Sequence, residues 1–148
     1  MSYRSVLVGS DGSATAELAV RGAAEVAAEH GARLVVVTAY TPGRGSADER
    51  ETVPEDIRWA VADVNQAEQR IRHGRQVASD AGVEHVATHA APGSAADVIL
   101  DAADAFAADL IVLGSKGLTP GTRSVLGSVA AAVAHHAPCD VLIVHTTD

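Results

Sequence analysis

Short apolar runs separated by long, helix-patterned stretches dominate this sequence, and that spacing constrains the fold more than any other feature. The runs are SVLVG (5–9), LVVVTA (34–39), LIVLG (110–114) and VLIVH (141–145), with a more polar one, EHVATHA, at 84–90. Runs this short and rich in β-branched residues read as strands. None is near enough to the next for a tight hairpin. Parallel neighbours need a crossover of about a dozen residues or more, usually a helix.

The intervening segments supply those helices. Residues 17–30 place Leu18, Gly22 and Val26 on one stripe, with Ala19, Ala23 and Ala27 beside it. Ser13 is the expected N-cap and Gly31 the expected residue just past the end. Residues 41–54 are rich in Gly, Pro and charge and are expected to form a mobile loop. Residues 55–81 read as a long helix with Ile57, Val61, Val64, Ile71 and Ala78 on one side, a break near Asn65 and Trp59 at its margin. Ser94, three residues before Asp97, caps a helix that turns Ile99, Ala103 and Phe106 inward. A last helix runs from Ser128 to about His136.

Strands that alternate with helices predict an α/β fold with right-handed crossovers, a parallel doubly wound sheet and helices on both faces. The polar third strand belongs at an edge, which gives the order 3-2-1-4-5 in a single domain over residues 1–148. Hydrophobic residues make up 47 % of the 148 residues and aromatics only 3 %. The core must therefore be built from Ala, Val, Leu and Ile. A net charge of −8 argues against a sequence-independent grip on nucleic acid, which needs many Lys and Arg facing phosphates. Cys139 is the one cysteine, so no internal disulfide forms. The N-terminal stretch lacks a signal-peptide core, and no apolar run approaches the roughly 18 residues of a membrane span. The expectation is a cytoplasmic protein without a membrane partner.

In this strand order the chain reverses between strands 1 and 4, and open α/β sheets bind ligands at that point, outside the carboxyl ends of the strands. Two glycine-rich loops meet there: Gly9-Ser10-Asp11-Gly12-Ser13 after strand 1 and Gly114-Ser115-Lys116-Gly117 after strand 4. The glycines of the second loop continue as Gly114-x2-Gly117-x9-Gly127-Ser128. This spacing, with VLVGSDGS at the start and LGSVAAAVAHHAPCDVLIVH at the end, resembles the nucleotide-binding subgroup of the universal stress protein family, whose pattern is G-x2-G-x9-G-[ST]. The resemblance covers essentially the whole chain. Pro120 and Gly121 fall inside the nine-residue spacer, and Lys116 stands at a position expected to vary.

The resemblance implies an adenine nucleotide ligand, ATP first, with AMP and cyclic AMP able to use the same adenosine and first-phosphate contacts. It implies that Gly114, Ser115, Lys116 and Gly117 lie along the ribose and phosphates. Gly127, Ser128 and Val129 would hold the phosphate tail, the backbone at Gly9 or Ser10 and at Ala39 would contact adenosine, and Asp11 would sit near the ribose or a nucleotide-bound Mg²⁺. The physical chemistry agrees. Gly114 and Gly117 let backbone approach an anion without a Cβ in the way. Successive N–H groups there can form an anion nest, and the helix start at Gly127–Ser128 favours phosphate.

Plainer readings stand beside these. Asp11 could equally cap the first helix, and Lys116 could be a solvated charge. His135 and His136 sit at a helix end, where positive charge is favoured anyway. His30, His73, His85, His89 and His145 have no ligand cluster at metal spacing, and Cys139 reads as a small packed residue. The chain has neither G-x-x-x-x-G-K-[ST] nor G-x-G-x-x-G, and Asp11 is the only carboxylate near the loops. A binding protein is therefore expected rather than an enzyme, with slow ATP hydrolysis as the alternative. A response-regulator phosphoacceptor is excluded, because strand 3 ends in His89-Ala90-Ala91-Pro92 with no acceptor Asp. Finally, strand 5 is an apolar edge with no Lys or Pro to guard it. Both that edge and the resemblance imply a homodimer paired through residues 141–145.

Overall fold

A computed structural model of the chain describes residues 2–41, 64–115 and 127–145. Its strands are β1 (Ser5–Gly9), β2 (Arg33–Tyr40), β3 (Val86–Pro92), β4 (Leu110–Gly114) and β5 (Asp140–Val144). Among the described residues the helices are α1 (Ala14–His30), α2 (Val64–Asp80), α3 (Ala95–Ala105) and α4 (Ser128–His136). The five strands form one sheet in the order β3-β2-β1-β4-β5, and every pair is parallel. The expected fold class and strand order are those observed. The expected loop at 41–54, apart from Thr41, and the front of the long helix with Ile57, Trp59 and Val61 lie outside the described residues.

Alternation along the strands divides the core in two. Val6, Val8, Leu34, Val36, Leu110 and Val112 pack with α1 and α2 on one face of the sheet. Leu7, Val35, Val37, Ile111 and Leu113 pack with α3 and α4 on the other. Central strands buried on both faces are apolar along most of their length, as parallel sheets require, with Ser5 and Thr38 as buried polar residues. The edges are not: β3 is half-buried along most of its length, and β5 alternates between half-buried and exposed. β3 also starts and ends two residues later than its sequence suggests. Its pairing with β2 runs to Tyr40↔Pro92, where the Gly93 N–H donates to the Tyr40 carbonyl at 3.0 Å. A proline is tolerated there because it closes an edge strand.

The helix ends follow their capping residues. The Ser13 side chain accepts from the Ala16 N–H, and Gly31 sits in the left-handed region at φ 66. The Ser94 side chain accepts from the Asp97 N–H. The buried face of α1 differs from the expected stripe. Ala19, Val20, Ala23, Ala24 and Ala27 are buried, while Leu18 is 48 % exposed. Small residues face inward because the helix lies close to the sheet: a Cβ on Gly22 would stand 3.2 Å from Val144 Cγ2. Val64 of α2 is likewise exposed, and Ala67, Gly74, Val77 and Ala78 form the buried side. Phe106 lies just past α3 as its C-cap, packed against the core beneath Arg33.

Side chains lock the amino end of the sheet. The Asp109 carboxylate accepts from the Arg4 and Ser5 N–H groups at 3.0 and 3.1 Å. Arg33 Nε donates to Ser5 Oγ at 3.0 Å, and its guanidinium donates to the Phe106 carbonyl and lies 5.4 Å from the Phe106 ring centroid. Tyr3 Oη donates to Asp140 Oδ2 at 2.9 Å, tying the chain start to the edge strand. The carboxyl end is built from backbone turns instead.

Gly74 marks the closest approach of α2 to the sheet, since a Cβ there would stand 2.7 Å from Val36 Cγ1. Gly74→Ala gains about 1 kcal/mol of helix propensity but overpacks a stiff β-branched neighbour at about 1–3 kcal/mol. The expected result is a lower denaturant midpoint at unchanged slope. A midpoint above wild type would show that α2 does not lie this close.

Candidate functional site

β1, β2 and β4 run side by side to the carboxyl end of the sheet. Val8 pairs with both Val36 and Val112, and Gly9 pairs with Val37. Gly9 has no side chain for a packing reason: a Cβ would stand 2.8 Å from Ile99 Cδ1 and 3.0 Å from Leu113 Cδ2. The turn after it is held by its own polar groups. The Ser10 N–H donates to the Val37 carbonyl at 2.9 Å, and Ser10 Oγ accepts from the Gly12 N–H at 3.2 Å. Asp11 Oδ1 accepts from the Ser13 N–H at 2.9 Å. One oxygen of Asp11 therefore serves the turn that starts α1.

β2 extends past the last paired residue of β1. The N–H and C=O of a strand residue point to the same neighbouring strand, and the side switches at each residue. The Val37 carbonyl bonds toward β1 and the Tyr40 carbonyl toward β3. The peptide groups of Ala39 therefore point to the β1 side, above the end of β1. An N–H and a C=O presented together can meet an acceptor and a donor on the edge of a flat base.

On the other side of the crevice, the Ser115 N–H donates to the Val144 carbonyl at 2.8 Å. That amide continues the β4–β5 ladder, so any anion nest in this loop begins after it. Lys116 and Gly117 lie outside the described residues. The chain returns at Gly127, the N-cap of α4, whose N-terminus has no side-chain cap hydrogen bond among the described residues. α1 and α3 start under serine caps and α4 does not. Only the short stretch 137–139 links α4 to the amino end of β5, so the N-terminus of α4 stands at the carboxyl end of the sheet. The first helical N–H groups have no carbonyl within the helix, and the dipole places partial positive charge on them. Ser128 is exposed there, and Val129 packs into the core below.

Two residues that sequence reasoning did not single out lie beside this crevice. Thr38 is fully buried, and its Oγ1 has no hydrogen-bond partner among the described residues. Arg70 of α2 lies against Gly12, where a Cβ would stand 2.7 Å from Arg70 Cγ. Neither position carries a sequence signal: a threonine in a β-branched strand and an arginine in a polar helix are ordinary. Among the described residues no three metal-ligating side chains converge, and no helix is long and apolar enough to cross a membrane.

Fold and site together define an α/β protein whose crevice at the β1/β4 reversal is lined by backbone groups and by a helix start with no side-chain cap among the described residues. The sequence profile of the universal stress protein family matches residues 2–145. The chain belongs to that family. It is 34 % identical over 146 residues to the universal stress protein Rv1636 of Mycobacterium tuberculosis, covering 99 % of each chain. A universal stress protein solved in complex with cAMP superposes with a TM-score of 0.78 at 33 % identity, covering 99 % of this chain and 100 % of that one. The Archaeoglobus fulgidus universal stress protein in complex with dAMP superposes with a TM-score of 0.71 at 26 % identity, covering 97 % and 98 %.

Cys139 and Glu17 are among the described ionisable groups that this architecture displaces. Burial pushes the Cys139 thiol up, and the Asp140 carboxylate adds to it, which fits a packed, unreactive residue. Glu17 in the first turn of α1 is held below its ordinary range, first by the hydrogen bond from His73 Nε2 and then by Arg21. A lowered folded-state value stabilises the fold above the unfolded-state range and is lost as pH falls through it. Glu17→Gln should therefore lower the denaturant midpoint at pH 7 and approach wild type once acid has protonated the folded-state carboxyl. A difference that stays constant across this range would show that the Glu17–His73 contact contributes nothing.

Proposed function

We propose that this chain is a regulatory adenine-nucleotide binder that acts through its conformation or partners. The observation that carries the reading is the meeting of three backbone elements at one sheet end: the Ala39 peptide groups, the Gly9–Ser13 turn and the start of α4. The base would meet Ala39 and the β1 turn. The ribose and phosphates would run along Gly114, Ser115, Lys116 and Gly117 to Gly127, Ser128 and Val129. ATP is the first choice, because the complete G-x2-G-x9-G-[ST] spacing provides for a phosphate tail. Cyclic AMP is the second reading, supported by the cAMP complex of a relative 33 % identical to this chain. Mg²⁺ would arrive with the nucleotide, with Asp11 the nearest described carboxylate. Replacing Gly117 with Glu would put bulk and negative charge where phosphate should lie. Calorimetric titration should then show loss of ATP binding in a protein with unchanged circular dichroism, and unchanged affinity would remove the assignment.

The site is built to bind rather than to turn over. Asp11 is the carboxylate in the β1 turn, and one of its oxygens already serves that turn. Phosphate release at saturating ATP and Mg²⁺ should fall far below the median enzyme rate of roughly 10 per second. Release near that rate, abolished by Asp11→Asn, would identify an enzyme.

We also propose a homodimer through β5. This edge strand is only half-buried, and Leu142 is 39 % exposed on the α1 side. Antiparallel pairing with a second copy would satisfy the free strand edge and close the assembly. The acidic balance and single cysteine support a cytoplasmic protein that leaves nucleic acid alone. Ile143→Pro would remove a ladder donor and should shift light-scattering mass toward the monomer. A wild-type mass equal to one chain, 15.1 kDa, would show that something else covers the edge.

A further inference from the structure

Gly12 occupies a left-handed conformation at φ +81 in the middle of the β1–α1 turn. Its own N–H donates to Ser10 Oγ, and the Asp11 side chain accepts from the next amide, that of Ser13. Its outer side is closed by Arg70: a Cβ on Gly12 would stand 2.7 Å from Arg70 Cγ, 3.1 Å from Nε and 3.2 Å from Cδ. The contact is made by the aliphatic stem and the first nitrogen of the side chain. Arg70 Nη1 is itself shielded from solvent, so this is not an arginine extended into water. Long charged side chains can cover apolar and backbone surface with their stems in this way.

The neighbouring contacts of α2 fix where that stem lies. Gly74 rests on Val36 of β2, and α2 runs antiparallel to β2. Arg70, one turn earlier, therefore stands level with Thr38, which shares the sheet face of Val36. His73, between them, reaches Glu17 in the first turn of α1. Residues 70, 73 and 74 thus join α2 to the β1–α1 turn, to α1 and to β2 at the carboxyl end of the sheet. The fully buried Thr38 hydroxyl lies on this same face.

We propose that Arg70 is a positioning residue: its stem holds the Gly12 turn in the conformation that presents Ser10 and Asp11 to the adenosine end of the site. This rests on the nucleotide reading above. Acting through the turn, Arg70 sets affinity for the adenosine part and not for the phosphates.

The test uses adenosine, AMP and ATP titrated by calorimetry into wild type, Arg70→Ala and Arg70→Met, each checked for folding by circular dichroism. Arg70→Ala removes the stem and should weaken all three ligands by the same factor, about tenfold. Arg70→Met keeps a stem without charge and should stay within about threefold of wild type for each. An Arg70→Ala protein with unchanged affinities overturns the proposal. So does an Arg70→Met protein that loses ATP affinity alone, which would make Arg70 a phosphate contact. Thermal melts of Gly12→Ala in the wild-type and Arg70→Ala backgrounds test the contact without ligand. The loss in melting temperature should be smaller where Arg70 is absent, and equal losses contradict the contact. If wild type binds none of the three ligands, the nucleotide reading fails, and the melts still decide whether Arg70 holds the turn.

Discussion

A parallel strand can be followed by another in the same sheet only after the chain has crossed back to the starting end, and the rest of this structure depends on that constraint. Each return passes through a helix, each helix needs a face of the sheet to bury against, and each face of a central strand must then be apolar. Val6, Leu7 and Val8, and Leu34 through Val37, meet that demand without a polar interruption. Helices placed first on one face and then on the other force the connections to diverge between β1 and β4. The crevice thus follows from connectivity alone.

The two ends of the sheet are then put to different uses. At the amino end, charged and aromatic side chains close the structure: Asp109 on the Arg4 and Ser5 amides, Arg33 on Ser5 and Phe106, and Tyr3 on Asp140. At the carboxyl end, side chains such as Ser10, Asp11 and Ser13 are spent on shaping turns, while Ala39 and the start of α4 present backbone groups. An anion site made of N–H groups needs no net positive charge, which reconciles a chain of net charge −8 with the phosphate-bearing ligand proposed above. Glycine serves more than one purpose in this region. Gly9 makes room for Ile99 and Leu113, whereas Gly12 supplies a positive φ beneath Arg70.

The sheet order was legible in the sequence because the polar third run could lie only at an edge and the other runs were apolar enough for burial. The helix caps at Ser13, Gly31 and Ser94 were legible because each is a local hydrogen-bonding solution that needs no tertiary partner. The inward face of α1 was legible at Ala19, Ala23 and Ala27 but not at Leu18, which is exposed. A helix with alanine all round carries little periodic contrast, and Leu18 outweighed the small residues that close packing selects. β3 slid by two residues because its pairing with β2, not its own hydrophobicity, decides where it ends. Of the candidate site, the loops around Gly9–Ser13 and Gly114–Ser115 were found from glycine and strand ends. The commitment of the Ser115 amide to Val144 was not, since a ladder bond depends on register. Arg70 was invisible because its role exists only when α2 is laid across a turn more than fifty residues away.

The central claim is that an adenine nucleotide binds at the carboxyl ends of β1, β2 and β4. Amide chemical shifts of isotope-labelled protein, followed while ATP is added, test it most directly. The account predicts saturable shifts concentrated at Ser10–Ser13, Ala39, Ser115 and Gly127–Val129, with the amino-end amides of Arg4, Ser5 and Asp109 unmoved. Shifts centred on that amino end, or a spectrum unchanged by saturating nucleotide, would contradict it.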